Sequence, residues 1–238
     1  MYGLDDFGMG VIYLVRHAQA PRTAYGSPVE RAAGENMALT ALGCEQARRM
    51  GEALLARAGR VDYAISGQLP RQRRTLEIAL SACSPDVSPE QDAGWDEYDI
   101  DALLGGGGRA ARATGPALQT LVDAALGQWV TARHPTGALE TYAEYQNRCT
   151  AAMENARALA GPGKTVLVVS SSGSITQVLA RLLGLDGQHW IRLGRTMINA
   201  SITKLIVGRS GVSVVSVNEH GHLESVKDAS DGPPMTFR

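Results

Sequence analysis

A chain of 238 residues and 25.2 kDa has room for one large α/β domain. Hydrophobic residues at 44% and charged residues at 20% supply a packed core and exclude wholesale disorder. Lys and Arg number 23 against 24 Asp and Glu, a formal charge of -1, so non-specific nucleic-acid binding has little electrostatic support.

The apolar runs Val11 to Val15 and Val166 to Val169 are far too short to span a bilayer. Asp5 and Asp6 stand where an export signal would carry positive charge. Cys44, Cys83 and Cys149 are scattered and odd in number, with no metal spacing and no disulfide framework, which fits a reducing compartment. A cytoplasmic location is therefore expected.

Taken in chain order, Val11 to Val15 reads as a buried strand. Thr40 to Arg57 reads as a helix, with Thr40 as N-cap and Leu42, Ala47, Met50 and Leu54 at helical spacing. Tyr63 to Ser66 is a second short strand, and Pro70 opens a helix running to about Ile78. Four consecutive glycines, Gly105 to Gly108, are too flexible for an element interior and start an insertion. Helices follow over about Pro116 to Arg133 and Thr141 to Ala160. Gly161, Pro162 and Gly163 end the second. Thr165 to Ser170 is a strand, and Gly173 to Leu183 a helix stopped at Gly184. Strands near Ser201 to Val207 and Val212 to Val217 form a hairpin across Gly208 to Gly211. The polar, Pro-containing tail from about Asp228 is expected to be loose.

Strands alternating with helices predict βαβ units and a sheet covered on both faces. Ligands in such folds bind beyond the carboxyl ends of strands, which directs attention to the residues after Val15, Ser66 and Val169. Arg16 and His17 emerge together after Val15. An imidazole there can attack phosphorus, and a guanidinium can clamp phosphate oxygens. For an arbitrary Arg-His pair, the plain reading as a surface Arg beside a half-buried His wins.

The context is more specific. The string VIYLVRHAQA resembles the opening signature of the histidine phosphatase superfamily, also called phosphoglycerate mutase-like, whose usual form is a strand followed by Leu-Val-Arg-His-Gly. Ala18 stands in place of that Gly. Thr40, Gly43, Gln46 and Ala47 resemble the family's Thr-x-x-Gly-x-x-Gln-Ala helix start. Leu69, Arg71 and Thr75 resemble its second strand-helix junction, and Val166 to Ser170 and Asn199 to Thr203 its last strands. Four motifs in the right order, over about residues 11 to 205, are a strong combined signal.

The resemblance implies a single domain over 1–238. Its fold would be a three-layer α/β/α sandwich with a mostly parallel central sheet and a helical cap insertion at about 105–145. It implies a phosphomonoester hydrolase acting through phosphohistidine on His17, with Arg16 and Arg71 on the phosphoryl oxygens. Arg73 and Arg74 do not match the motif and read as solvated charges. The proton donor is expected in Gly94 to Asp99, with Glu97 as candidate and Asp96 and Asp99 as competitors. No metal and no organic cofactor is implied. The expected partner is a small phosphorylated substrate or phosphate, with no nucleic acid and no membrane; oligomeric state is open.

One departure stands out. The family places a second His after the late strand, in Ser-His-Gly-Gly, whereas this chain reads Ser170-Ser171-Ser172-Gly173, with Ser171 at the His position. A hydroxyl offers a neutral hydrogen bond and no charge, and loss of one stabilising donor costs on the order of 10²–10³ in rate. Ser171 and Ser172, at a helix N-terminus, are the expected phosphate holders in its stead. The change weighs against mutase activity, and a phospho-ligand-binding protein with little turnover is the alternative function.

A more distant alternative reads Ser172 as the nucleophile of a serine hydrolase, with Asp186 and His220 or His222 following in order, although the flanking glycines of the nucleophile elbow are absent. Gly163-Lys164-Thr165 lacks the earlier Gly of a P-loop, because Ala158 occupies that place. His220 and His222, near Glu219 and Glu224, lack a clear third metal ligand and read as surface residues, as do His134 and His189. Gly115 to Gly137 reads as part of a cap over the site. Trp129, Tyr142 and Tyr145 read as helix core or as cap residues shaping access. Arg148 could pair with Glu140 or Glu144, or reach substrate.

Overall fold

The computed structural model describes residues 8–33, 38–107, 115–132 and 140–224, together with Thr236. Strand β1 (Gly10–Arg16) is buried along its whole length and sits inside a six-stranded sheet of order β3-β2-β4-β1-β5-β6. The other strands are β2 (Tyr63–Ser66), β3 (Pro89–Gln91), β4 (Thr165–Ser170), β5 (Ile202–Gly208) and β6 (Gly211–Glu219). β1, β2, β3 and β4 are parallel. β5 runs antiparallel to β1, and β6 is its hairpin partner.

The side chains of β1 divide by parity, as strand geometry requires. Val11, Tyr13 and Val15 pack with Met50 and Leu54 of α2 (Ala41–Ala58) and Leu76 and Leu80 of α3 (Pro70–Cys83). Ile12 and Leu14 pack on the opposite face with Met153 and Ala156 of α6 (Tyr142–Leu159) and Ile175 and Leu179 of α7 (Ser172–Leu183). The result is a three-layer α/β/α sandwich with a mostly parallel sheet.

Register then sets the position of the site. Arg16 lies opposite Ser170, Ser66 opposite Val169, and Gln91 opposite Ser66. The four parallel strands therefore end in one row. The helix after β1 covers one face and the helix after β4 covers the other, so a cleft opens between these two neighbouring strand ends.

The remaining helices are α1 (Pro28–Ala33), α4 (Ile100–Leu103), α5 (Gly115–Thr131), α8 (Gly187–Gly194) and α9 (Gly221–Glu224), with 3-10 turns at Arg22–Tyr25 and Ala93–Trp95. α3 runs five residues past the expected Ile78, and Cys83, Ala79 and Leu80 of that extension are core. α1 was not expected, although Ser27 and Glu30 make a reciprocal cap: the Ser27 N–H donates to Glu30 Oε2 at 2.8 Å and the Glu30 N–H to Ser27 Oγ at 3.4 Å. β3 is exposed along its length and shows no apolar pattern that a sequence reading could detect.

Trp129, Tyr142, Tyr145, Trp190 and Tyr98 form a buried aromatic cluster with neighbouring ring centroids between 5.1 and 6.2 Å apart. It fastens α5, α6 and α8 to the start of α7, where Trp190 Nε1 donates to Gly173 O at 2.9 Å. For Trp129, Tyr142 and Tyr145 the core role holds. The expected loose tail is corrected at one residue: Thr236 is docked, its carbonyl accepting from Asn199 N–H at 3.0 Å. The rest of the tail, Gly108, His134 and Gly137 lie outside the described residues.

Candidate active site

The end of β1 is held from three sides. His17 N–H donates to Ser170 O at 2.8 Å, and Ala18 N–H to Thr75 Oγ1 at 3.0 Å. Ala200 N–H lies 3.0 Å from Arg16 O and 3.3 Å from His17 O. Ala200 reaches both from a φ of 57°, a left-handed conformation that costs an alanine about 1 kcal/mol. Ala18 is fully buried against the α2 face, so its methyl fits where the family signature has Gly.

The imidazole of His17 has one tautomer compatible with its partners. Arg71 Nε can only donate, and it lies 3.2 Å from His17 Nε2. Nε2 must therefore carry its lone pair, and the proton sits on Nδ1, 2.8 Å from Ala18 O. In this tautomer Nε2 is the nitrogen able to act as a nucleophile. Tyr25 Oη donates to the same atom at 3.4 Å.

Arg16 and Arg71 are both buried and both line the cavity with His17. Arg16 Nη1 donates to Met197 O. Arg71 Nη1 donates to Ala24 O at 3.2 Å, and its guanidinium lies 4.7 Å from the centre of the Tyr25 ring. Two buried cations beside an acceptor nitrogen form a site for a dianion. Arg73 and Arg74 are exposed on the far side of the same helix.

The two serines differ. Ser171 does not line the cavity; its Oγ accepts from Gln72 Nε2 at 3.0 Å, and that amide also donates to Trp95 O at 3.1 Å. Ser172 does line it, with its hydroxyl donating to Gly194 O at 2.8 Å. Ser171 is thus a buried hydroxyl whose oxygen accepts from a glutamine of α3 inside the wall.

All three carboxylates of the acidic loop line the cavity. Glu97 accepts from the Gly173 N–H at 2.9 Å on Oε2 and from Tyr145 Oη at 3.2 Å on Oε1. It therefore occupies the positive end of the α7 dipole. Gly173 is required for this approach, because a Cβ there would lie 2.2 Å from Glu97 Oε1. Asp96 accepts from Gln68 N–H at 2.6 Å, and burial pushes its carboxyl above the usual carboxylate range. Asp99 is engaged bidentately with Arg31 at 3.2 and 3.1 Å and caps α4 through the Ala102 N–H. Arg148 takes neither of its expected roles alone. It pairs with Glu140, not Glu144, and its Nη1 donates to Gly94 O and Asp96 O at 3.1 and 2.6 Å, which holds the acidic loop in place.

These groups surround a cavity of about 640 Å³, whose further wall includes Leu69, Ile100, Leu118 and Val122. A cavity of this size takes an organic leaving group as well as a phosphoryl group. α5 contributes Gly115, Leu118 and Val122 to that wall. Beneath the nucleophile, Asn199 Nδ2 donates to His17 O at 3.0 Å, and Gln46 Oε1 accepts from Gln19 N–H at 2.9 Å. Thr236 joins the two supports: its hydroxyl donates to Asn199 Oδ1 at 3.0 Å and accepts from Gln46 Nε2 at 2.9 Å.

Other candidates are not brought together. Ser172 bonds Gly194 O, while His220 Nδ1 lies 2.7 Å from Asn218 O and His222 Nε2 3.1 Å from Ala200 O, so no serine-histidine pair is formed among them. Asp186 caps α8 through His189 N–H. His222 is not a free surface residue as expected: burial pushes its pKa down to about 4. Among the described residues, no group of three His, Cys, Asp or Glu side chains could hold a metal ion, and no helix is long and apolar enough to cross a membrane. Tyr25, Gln72 and Thr236 are site-supporting residues that the sequence reading missed, and only long-range contacts reveal them.

The model of the histidine phosphatase superfamily (branch 1) matches residues 12–220. Solved structures share the fold. Bacillus stearothermophilus YhfR superposes with a TM-score of 0.65 at 18% identity, covering 89% of this chain and 98% of that one. A mycobacterial glucosyl-3-phosphoglycerate phosphatase complexed with VO3 gives 0.64 at 22%, with 89% and 100% covered. A phosphoglycerate mutase from Bacillus anthracis str. Sterne gives 0.60 at 20%, with 92% and 96% covered. No curated protein matches the chain.

Proposed function

This chain belongs to the histidine phosphatase superfamily (branch 1), and from that premise we propose that it hydrolyses a phosphomonoester without a metal, through phosphohistidine on His17. The observation that carries the reading is His17 Nε2, a lone-pair nitrogen 3.2 Å from a buried guanidinium in the wall of a substrate-sized cavity.

In the first step Nε2 attacks phosphorus and the P–O bond to the leaving group breaks. Arg16 and Arg71 neutralise the equatorial oxygens, which is the main source of catalysis in phosphoryl transfer. Glu97 gives its proton to the leaving oxygen. In the second step the Glu97 carboxylate takes a proton from water, the hydroxide oxygen bonds phosphorus, and the P–N bond breaks to release phosphate and restore His17. Asp96 is the second reading for the proton donor, favoured by the burial that raises its carboxyl. The bidentate pairing of Asp99 with Arg31 weighs against that role for Asp99. The substrate is a small phosphorylated molecule whose leaving group fills the wall of Leu69, Ile100, Leu118 and Val122.

The alternative, phospho-ligand binding with little turnover, draws support from Ser171, whose hydroxyl faces Gln72 rather than the cavity. The deciding experiment is p-nitrophenyl phosphate hydrolysis from pH 4 to 8 with chelator, using wild type, His17→Ala, Glu97→Gln and Asp96→Asn. Chelator-resistant activity that vanishes in His17→Ala is expected. With an alkyl phosphate, whose leaving oxygen needs a proton, the acidic variant that loses the descending limb of the pH profile is the proton donor. Phosphate binding without any hydrolysis would establish the binding function instead, and activity surviving in His17→Ala would overturn the phosphohistidine route.

A further inference from the structure

We propose that Tyr25 is a catalytic residue whose phenol O–H supplies, at the phosphoryl group, the donor that the Ser171 position does not. The inference rests on the phosphomonoesterase reading above. Its starting point is a gap: Ser171 is buried, its hydroxyl is held by Gln72, and it does not line the cavity. Two guanidiniums cannot by themselves surround three equatorial oxygens from every side.

Tyr25 lines the cavity beside His17. Its Oη is 3.4 Å from His17 Nε2, the atom that bonds phosphorus. That distance is long for a hydrogen bond, as such contacts often are before substrate is bound. Nε2 has no proton to give, so the phenol is the donor. Once Nε2 bonds phosphorus, its lone pair is used and the phenol O–H is released toward a phosphoryl oxygen attached to the same phosphorus.

The phenol is also fixed in place. The Arg71 guanidinium sits 4.7 Å from the ring centre, and Arg71 Nη1 holds the carbonyl of the preceding residue, Ala24, at 3.2 Å. Gly26 N–H closes the 3-10 turn onto Thr23 O at 3.1 Å, and Tyr25 packs against the hydrophobic cluster to which Tyr98 and Leu104 belong. A donor placed by rigid contacts costs no reorganisation as charge develops. The same contacts raise the competing role, in which the ring is only a platform for Arg71. The two roles separate chemically, because Tyr25→Phe keeps the ring and deletes only the O–H.

The test uses the full chain with p-nitrophenyl phosphate, and orthovanadate and inorganic phosphate as ligands. Vanadate adopts the five-coordinate geometry of the transition state, whereas phosphate reports ground-state binding. For Tyr25→Phe the expected result is a fall in kcat on the order of 10–100-fold with KM changed less than about threefold. Vanadate affinity should fall by a similar factor while phosphate affinity stays within about threefold. Tyr25→Leu should additionally weaken phosphate, because Arg71 loses its platform. Wild-type kcat and vanadate affinity in Tyr25→Phe overturns the proposal, as does a loss confined to thermal stability. In a protein that binds without turnover, the vanadate-to-phosphate ratio reads the same donor, and an unchanged ratio overturns it. The failures are distinguishable: activity persisting in His17→Ala removes the underlying reading, whereas an inert His17→Ala beside a fully active Tyr25→Phe removes only this one.

Discussion

Gly173→Ala tests whether Glu97 is held where the mechanism needs it. An added Cβ would lie 2.2 Å from Glu97 Oε1, 2.5 Å from Tyr98 Cε1 and 2.9 Å from Tyr145 Oη. The carboxylate can swing away. The Tyr98 ring cannot, because Trp129, Tyr145 and Trp190 pack around it with centroids 5.5, 5.7 and 5.8 Å distant. Overpacking of this kind costs about 1–3 kcal/mol, and losing the Gly173 N–H to carboxylate bond about 1.5–3 kcal/mol. Alanine recovers up to about 1 kcal/mol of helix propensity, leaving a net loss of roughly 2–5 kcal/mol. In a protein of this size that is a fall in Tm of at least about 4 °C. Scanning calorimetry measures it. Hydrolysis of an alkyl phosphate, whose leaving oxygen needs a proton, should fall more than hydrolysis of p-nitrophenyl phosphate, whose leaving group departs as a weak base. A variant as stable as wild type, or more so, with both rates intact would refute the reasoning, since propensity alone predicts that alanine stabilises.

Two further predictions follow the supports of the nucleophile. Thr236→Val removes the hydroxyl that satisfies both Asn199 Oδ1 and Gln46 Nε2, and should cost about 2 kcal/mol with a lower kcat, both restored by Thr236→Ser; urea unfolding that does not distinguish Val from Thr would place the hydroxyl elsewhere. His222 has its folded pKa lowered from 6.5 to about 4 by burial, with Nε2 on Ala200 O and Nδ1 buried without a partner. A depressed histidine contributes stability that is complete above about pH 6.5 and is lost as pH falls toward 4, here about 2 kcal/mol after allowance for solvent screening. His222→Gln should flatten that limb in unfolding curves taken between pH 7 and pH 4.5.

Much of the frame was legible because it is local. β1 and β4 are short apolar runs, and buried central strands need nothing more to be recognised. Thr40 caps α2 through its side chain, and Gly43 lets the helix approach Gln19 O, where a Cβ would come within 2.1 Å. That explains why the pattern Thr-x-x-Gly was readable. β3 was not legible, since an exposed three-residue strand is defined only by pairing with β2. The serine at the family's histidine position was legible as a substitution and opaque as geometry. Its hydroxyl direction is set by Gln72, which lies 99 residues away in the chain.

What the sequence by itself determined was the succession of β1, α2, β2, α3, α5, α6, β4, α7 and the β5-β6 hairpin, the emergence of Arg16 and His17 at a strand end, and Arg71 at the start of α3. Each follows from periodicity, capping or a motif within a few consecutive residues. Only the tertiary structure decided which nitrogen of His17 carries the lone pair and which carboxylate caps α7. It also decided where Tyr25 and Thr236 sit relative to the nucleophile. Those outcomes depend on donors and acceptors converging from separate elements, and a buried polar group is satisfied by whichever partner the packed chain brings within about 3 Å. No pattern along the chain encodes that distance.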